Sequence, residues 1–169
     1  RRPASQRVPW QWRTCPRWWG WAPPPALEDF LAAGRRVVSI GFGSMASEDP
    51  AALTELVLGA IRDARVRAVL LSGWGGLADL PPEDDVFVAG SLPHDWLFPR
   101  VAAVVHHGGA GTTGAGLRAG VPSVVVPFTM DQPFWASRVV ALGAGPKPII
   151  DGRCCSWKSC HRLTSRPAS

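Results

Sequence analysis

Short apolar runs alternate with helical patterns along the middle of this 169-residue chain, and this alternation restricts the possible folds more than any other feature. Glycine, proline or small polar residues bound the runs, as is typical of buried strands. The runs cover residues 37–42, 68–71, 86–89, 101–105 and 123–126. Strands that are apolar on both faces and separated by helices predict a parallel sheet covered on each side, which is a doubly wound, Rossmann-like α/β domain.

Helix signals lie between these runs. Asp49 followed by Pro50 marks a helix start, and apolar residues at three-and-four spacing continue to Ala64. Pro133 begins a second helix, predicted over residues 132–142. Sheets of this kind bind ligands beyond the carboxyl ends of their strands, so we expect the chemistry in the loops that follow the strands.

The charge distribution argues against a nucleic-acid partner, although the formal net charge is +5. Residues 1–27 carry five arginines and no acid, and residues 151–169 carry four basic side chains and one acid. The middle, residues 28–150, has nine basic and twelve acidic side chains. The predicted domain therefore lacks the clustered cations that a phosphate-tracking surface needs. A hydrophobic content of 46% excludes a disordered chain.

Composition also divides the chain into three parts. Residues 1–20 form a basic, tryptophan-rich flank that does not resemble native coding sequence, residues 21–150 form the domain, and residues 151–169 form a Cys/Arg/Ser-rich tail that we expect to be disordered. All four cysteines lie in the flanks, which fits a reduced compartment. A zinc site in the tail is an open alternative, although its spacing is unusual; its candidate ligands are Cys154, Cys155, Cys160 and His161.

No apolar stretch reaches 18 residues, so we expect a soluble cytoplasmic protein without a transmembrane segment.

Residues 106–113, His-His-Gly-Gly-Ala-Gly-Thr-Thr, carry the clearest chemical signal. They lie between a buried strand and a helix, so free N–H groups at the helix start, the helix dipole and the two threonine hydroxyls favour a phosphate or pyrophosphate. His106 is interpreted as a structural residue at the strand end. The alternative is a glycine turn that serves only close packing of the helix on the strand.

The run from His106 to Pro122 and the run Val126 to Phe134 resemble the donor-binding domain of GT-B-fold glycosyltransferases. The likeness is to sterol-type and antibiotic-aglycone members of the UDP-glycosyltransferase superfamily, and it covers about residues 20–150, including residues 23–31 and 40–45. Ala115 stands where many plant and animal members have a ribose-binding glutamate, and sterol-type members lack that glutamate too.

The resemblance implies a role for each matching position. It implies that the donor diphosphate contacts Ser44, His107, Gly109, Ala110, Gly111 and Thr112. It implies hexose contacts at Asp131 and Gln132, and base contacts at Trp74, Leu92 and His94. Read from the residues alone, other roles stay open: Gln132 as a helix cap, Ser44 in a simple turn, and Trp74 as a cover for the sheet edge.

The resemblance further implies an inverting transfer of a hexose from a UDP- or dTDP-sugar to a hydroxyl of a lipophilic acceptor, such as a sterol or a natural-product aglycone. The sugar nucleotide is a substrate, so no cofactor and no metal are expected. The general base belongs to an amino-terminal acceptor domain that this sequence does not contain. We therefore assign no catalytic residue and expect the isolated chain to be inactive.

Two other classes compete with this interpretation. Residues 41–46 match the dinucleotide fingerprint G-x-G-x-x-A after a strand, which would indicate an NAD(P)-binding oxidoreductase domain. However, the helix signal waits for Asp49-Pro50, and no acid ends the second strand to bind a ribose. The third class is a non-catalytic binding module or truncated product.

Overall fold

The computed structural model describes residues 20–34, 36–43, 50–72 and 84–149. Within these ranges the chain forms one five-stranded sheet. The strands are β1 (Val37–Gly41), β2 (Arg67–Leu71), β3 (Val86–Ala89), β4 (Ala103–His106) and β5 (Ser123–Val125). Every neighbouring pair is parallel, in the order β3-β2-β1-β4-β5. The predicted doubly wound parallel sheet is thereby confirmed.

In the described ranges, helices follow β1, β3, β4 and β5, as the alternation predicts. They are α1 (Pro25–Ala32), α2 (Pro50–Ala64), α3 (His94–Leu97), α4 (Ala110–Ala119) and α5 (Gln132–Ala141). A single 3₁₀ turn, Phe98–Arg100, continues from α3. The apolar pattern did not predict α1, because eight residues are too few to show a helical period.

Apolar side chains cover both faces of the sheet, because successive strand residues point to opposite sides. On one face, Ile40 of β1 packs with Ile61 of α2. On the other face, Val104 of β4 packs with Leu27 of α1 and Ala115 of α4. Burial of both strand faces explains why the strands read as continuous apolar runs.

The predicted bounds of β4 were wrong by one residue at the carboxyl end of the strand, where the crevice lies. The sequence predicted residues 101–105, whereas the strand runs from Ala103 to His106. Val101 instead closes the 3₁₀ turn, its N–H donating to the carbonyl of Phe98 at 3.3 Å. His106 is therefore the last residue of β4, and His107 is the first residue of the loop that follows it.

The strand order creates a crevice between β1 and β4. From β1 the chain crosses towards β2, and from β4 it crosses towards β5, so the loops after these two neighbours diverge. Gly43 follows β1 and residues 107–109 follow β4 at this point. The crevice is where a doubly wound sheet binds its ligand.

Several predictions fall outside the described residues. These concern the flank of residues 1–19, the tail of residues 151–169 with its candidate zinc ligands, and Cys15. None of the helices in the described ranges has both the length and the apolar character needed to cross a bilayer.

Candidate functional site

The imidazole of His107 lies between two glycines at the crevice. A Cβ built on Gly43 would lie 2.9 Å from Cε1 of His107, and one built on Gly109 would lie 2.5 Å from Nε2. Both separations are too short for real Cβ atoms. Glycine at these two positions therefore leaves the space in which the ring sits.

The start of α4 lies in the same loop and carries unused donors. Gly109 is the N-cap and offers no side chain to cap the helix. The first helical bond runs from the Thr113 N–H to the Gly109 carbonyl at 2.9 Å. The N–H groups of residues 110–112 precede that bond and have no helical acceptor. With the helix dipole, they form a site suited to an anion.

His107 adds a polar side chain to this site. Its Nδ1 is buried and has no hydrogen-bond partner within the described part of the chain. Burial lowers the pKa of His107 below its usual 6.5, while the nearby Asp131 carboxylate opposes that shift. The free imidazole is therefore mostly neutral near pH 7, and an anion close to it would raise its pKa and favour the charged form.

His106 has a different role from its neighbour. The residue is fully buried, and its Nδ1 accepts a hydrogen bond from the Gly108 N–H at 3.0 Å. Burial chiefly, followed by the proximity of His107 and His94, lowers the pKa of His106 to about 4. His106 stays neutral and fixes the start of the loop, which agrees with the structural role expected from its place at the strand end.

The two threonines of the loop point in different directions. Thr112 is half-buried, whereas Thr113 is only 1% exposed and its Oγ1 is buried without a partner in the described residues. The expectation that both hydroxyls serve as donors to an anion was therefore wrong for Thr113. Successive helix residues are rotated by about 100°, so only one of the two can face the crevice.

Asp131 and Gln132 form the second part of the site, at the start of α5. Asp131 is the N-cap and is exposed, and its Oδ2 accepts a hydrogen bond from Nε1 of Trp135 at 2.7 Å. Gln132 is 4% exposed, and its Oε1 accepts from the N–H groups of Phe128 at 2.7 Å and Thr129 at 3.1 Å. The amide oxygen of Gln132 is thus committed to the preceding loop. Gln132 is the first helical residue and not the cap.

The residues expected to contact a base are placed unequally. Leu92 is buried and packs in the hydrophobic core. The ring of His94 stacks on Phe98, with ring centroids 4.6 Å apart and planes 12° apart. Burial lowers the pKa of His94, Asp95 opposes the shift, and the proximity of His107 adds to it. Ser44 and Trp74 lie outside the described residues.

Sequence reasoning missed two contacts at this edge. Phe42, after β1, meets the ring of Phe128 edge to face at a centroid distance of 5.6 Å. Trp135 holds the carboxylate of Asp131, and the spacing of four residues on one helix was the signal that could have revealed it. In the described ranges, no three His, Cys, Asp or Glu side chains are grouped so as to hold a metal ion.

A parallel doubly wound sheet with a helix start suited to an anion at its crevice defines the class of Rossmann-like α/β domains. Comparison with known proteins makes this class more specific. Residues 72–165 match the family described as "Erythromycin biosynthesis protein CIII-like, C-terminal domain". The chain belongs to this family.

The relatives of the chain include sterol glucosyltransferases. A sterol 3-beta-glucosyltransferase of Arabidopsis thaliana is 51% identical over 128 residues, which cover 75% of this chain and 20% of the plant protein. A sterol 3-beta-glucosyltransferase of Candida albicans is 46% identical over 137 residues, 73% of this chain and 9% of the fungal protein. The chain thus spans a fifth or less of the length of these two relatives.

The fold matches solved glycosyltransferases. The glycosyltransferase SnogD from Streptomyces nogalater has a TM-score of 0.64 and 32% identity, and the match covers 86% of this chain and 37% of SnogD. The resemblance to the carboxy-terminal half of GT-B glycosyltransferases, first seen in the motifs, is confirmed.

Proposed function

We propose that this chain supplies the donor-binding half of an inverting hexosyltransferase. The donor is a UDP- or dTDP-hexose, and the acceptor is a hydroxyl of a lipophilic molecule such as a sterol or a natural-product aglycone. Relatives that are named sterol 3-beta-glucosyltransferases support this choice of acceptor class and favour glucose. The observation that carries the proposal is the His107 ring, held between Gly43 and Gly109 beside the free amides that start α4.

The diphosphate occupies the start of α4 in this proposal. The N–H groups of residues 110–112 donate to the phosphate oxygens, and the Thr112 hydroxyl adds a donor. His107 makes a charge-assisted hydrogen bond once the phosphates raise its pKa. Because negative charge gathers on the departing nucleoside diphosphate, these donors stabilise the leaving group as well as the bound donor.

The hexose extends from the diphosphate towards Asp131 and Gln132. One oxygen of the Asp131 carboxylate is held by Trp135, so the other accepts from a sugar hydroxyl. The oxygen of Gln132 is occupied by the loop, so its amide nitrogen donates. The effect of Asp131 on the pKa of His107 supports their closeness. The sugar thus meets one acceptor and one donor side by side.

The remaining groups of the reaction have separate places. We assign contacts with the nucleobase of the donor to His94 and Trp74, and we assign only a backbone contact with it to Leu92. The proposal places the general base that takes the acceptor proton in an amino-terminal acceptor domain, and it assigns the residues of this chain to donor binding and orientation. No cofactor takes part.

The oxidoreductase alternative is not supported. In a dinucleotide fingerprint the helix opens within the glycine run, and its N-terminus meets the pyrophosphate. Here α2 begins only at Pro50, after Gly41 and Gly43. The second strand ends at Leu71, followed by Ser72, without the acid that binds a ribose.

Calorimetric titration of the chain with UDP, dTDP and NADH tests the proposal. We expect heats of binding for a nucleoside diphosphate and none for NADH. His107→Ala should weaken UDP binding by roughly 1.5–3 kcal/mol through loss of a charged hydrogen bond. Leu56→Ala, at an exposed position on α2, is the control and should change nothing. Tight NADH binding without a nucleoside diphosphate signal would overturn the proposal.

A further inference from the structure

The carboxylate of Asp131 does not cap α5, although Asp131 is the N-cap residue of that helix. Asp at an N-cap usually accepts from the backbone N–H two or three residues on. In α5 the residue two places on is Pro133, which has no N–H, and Asp131 makes no capping hydrogen bond. Its Oδ2 instead accepts from the indole Nε1 of Trp135 at 2.7 Å. The side chain is held by another side chain at the surface, where a free carboxylate would otherwise be solvated.

The backbone before Asp131 is also held in an unusual state. Met130 is 86% exposed and has a φ of 57°, a left-handed conformation that is uncommon for a bulky residue. The side chain of Gln132 stabilises the turn by accepting hydrogen bonds from the N–H groups of residues 128 and 129. The backbone N–H of Gln132 also donates to the Thr129 carbonyl at 3.3 Å. Asp131 is therefore fixed in both backbone and side chain.

The held carboxylate lies close to the anion site. A Cβ built on Gly108, between His107 and Gly109, would lie 3.2 Å from the Gln132 carbonyl oxygen, so the start of α5 packs on this loop. Asp131 precedes Gln132, and its carboxylate opposes the downward pKa shift of His107. With Oδ2 occupied by Trp135, the second carboxylate oxygen is left as an acceptor for a ligand. Holding an exposed side chain in one rotamer before a ligand arrives reduces the entropy that binding must offset.

We infer that Trp135 is a positioning residue for hexose recognition: its indole N–H orients Asp131 so that the free carboxylate oxygen accepts a hydrogen bond from a sugar hydroxyl. The inference rests on the proposed function. Trp135 acts through Asp131 and does not itself contact the sugar. The diphosphate is bound by other residues, so the loss of the indole N–H affects the hexose alone.

Titration of the full chain with UDP and with UDP-glucose tests this role. Trp135→Phe removes the N–H and keeps an aromatic ring to pack on Phe134, whose centroid lies 5.2 Å from that of Trp135. We expect this variant to bind UDP like the wild type and to bind UDP-glucose about five- to tenfold more weakly. Trp96→Phe is the matched control, because Trp96 packs on Trp21, and both affinities should stay unchanged.

A double-mutant cycle separates positioning from a general structural effect. In an Asp131→Ala background, Trp135→Phe should cause no further loss of UDP-glucose affinity, because the carboxylate it orients is gone. In ¹H–¹⁵N spectra, the wild type shows one indole N–H resonance that Trp135→Phe lacks, and this resonance belongs to Trp135. That resonance should shift with UDP-glucose and much less with UDP.

The outcomes distinguish the two proposals. A wild type that binds neither UDP nor UDP-glucose contradicts the proposed function itself. A wild type that binds UDP and UDP-glucose, with Trp135→Phe binding UDP-glucose as tightly as the wild type, contradicts only the role of Trp135. An additive effect of the two substitutions likewise overturns it.

Discussion

Gly109→Ala should abolish the contribution of His107 to nucleotide binding without unfolding the domain. The added Cβ would lie 2.5 Å from Nε2 of His107 and 3.3 Å from its Cε1, so the ring has to move. The obstacle is the far end of a side chain, which can rotate away. Gly109 has φ −61° and ψ 142°, a conformation that alanine adopts readily. We expect the free energy of unfolding to change by less than about 1 kcal/mol.

The effect on binding follows from the displaced imidazole. Loss of one charged hydrogen bond costs roughly 1.5–3 kcal/mol, which corresponds to UDP-glucose affinity falling roughly 10- to 150-fold. Gly59→Ala, on α2 with no atom within 4 Å of the added Cβ, is the matched control and should bind normally. The double variant Gly109→Ala with His107→Ala should bind no worse than His107→Ala alone. Calorimetry measures the wild type and all four variants, and wild-type affinity in Gly109→Ala would refute the reasoning.

Three further predictions concern pH and the loop before α5. The pKa of His106 falls from 6.5 to about 4 on folding, so the unfolded chain binds a proton that the native chain rejects, and stability should fall by roughly 3 kcal/mol as pH drops through this window. Urea unfolding at several pH values checks this, and His106→Asn should flatten the dependence. The diphosphate of UDP-glucose does not titrate near neutral pH, so UDP-glucose should bind more tightly as the pH is lowered through the pKa of His107 in the complex. An affinity that does not change with pH would contradict the charged hydrogen bond from His107. Gln132→Leu leaves the Phe128 and Thr129 N–H groups without their acceptor and should lower the free energy of unfolding by roughly 1–3 kcal/mol. Gln132→Glu keeps an acceptor oxygen and should lower it less. Equal losses for the two variants in urea unfolding would contradict these hydrogen bonds.

The alternation of apolar runs and helical patterns was sufficient to predict the sheet. It failed at the edges of elements, because an apolar pattern does not separate a strand from an adjoining turn. Val101 is as apolar as the strand residues, yet its N–H bonds to Phe98 in the 3₁₀ turn. His106 is polar, yet it completes β4 as a fully buried residue, and its Nδ1 accepts a hydrogen bond from the Gly108 N–H.

The candidate site was predictable where it depends on local sequence. His107 and the start of α4 follow from a glycine-rich run between a strand and a helix. The packing of His107 against Gly43 joins two loops that are distant in the sequence and meet only through the strand order. The orientation of Thr113 depends on the rotation of α4, which a short run of small residues leaves undefined; its spacing of three from the buried Gly116 was the available clue.

The start of α4 is where the account is most directly tested. Backbone ¹H–¹⁵N spectra of the chain, recorded while UDP-glucose is added, report the amides one by one. The account predicts that the amides of residues 110–112 shift most and saturate together. Saturable binding that leaves these amides unchanged, or no binding at all, would contradict it.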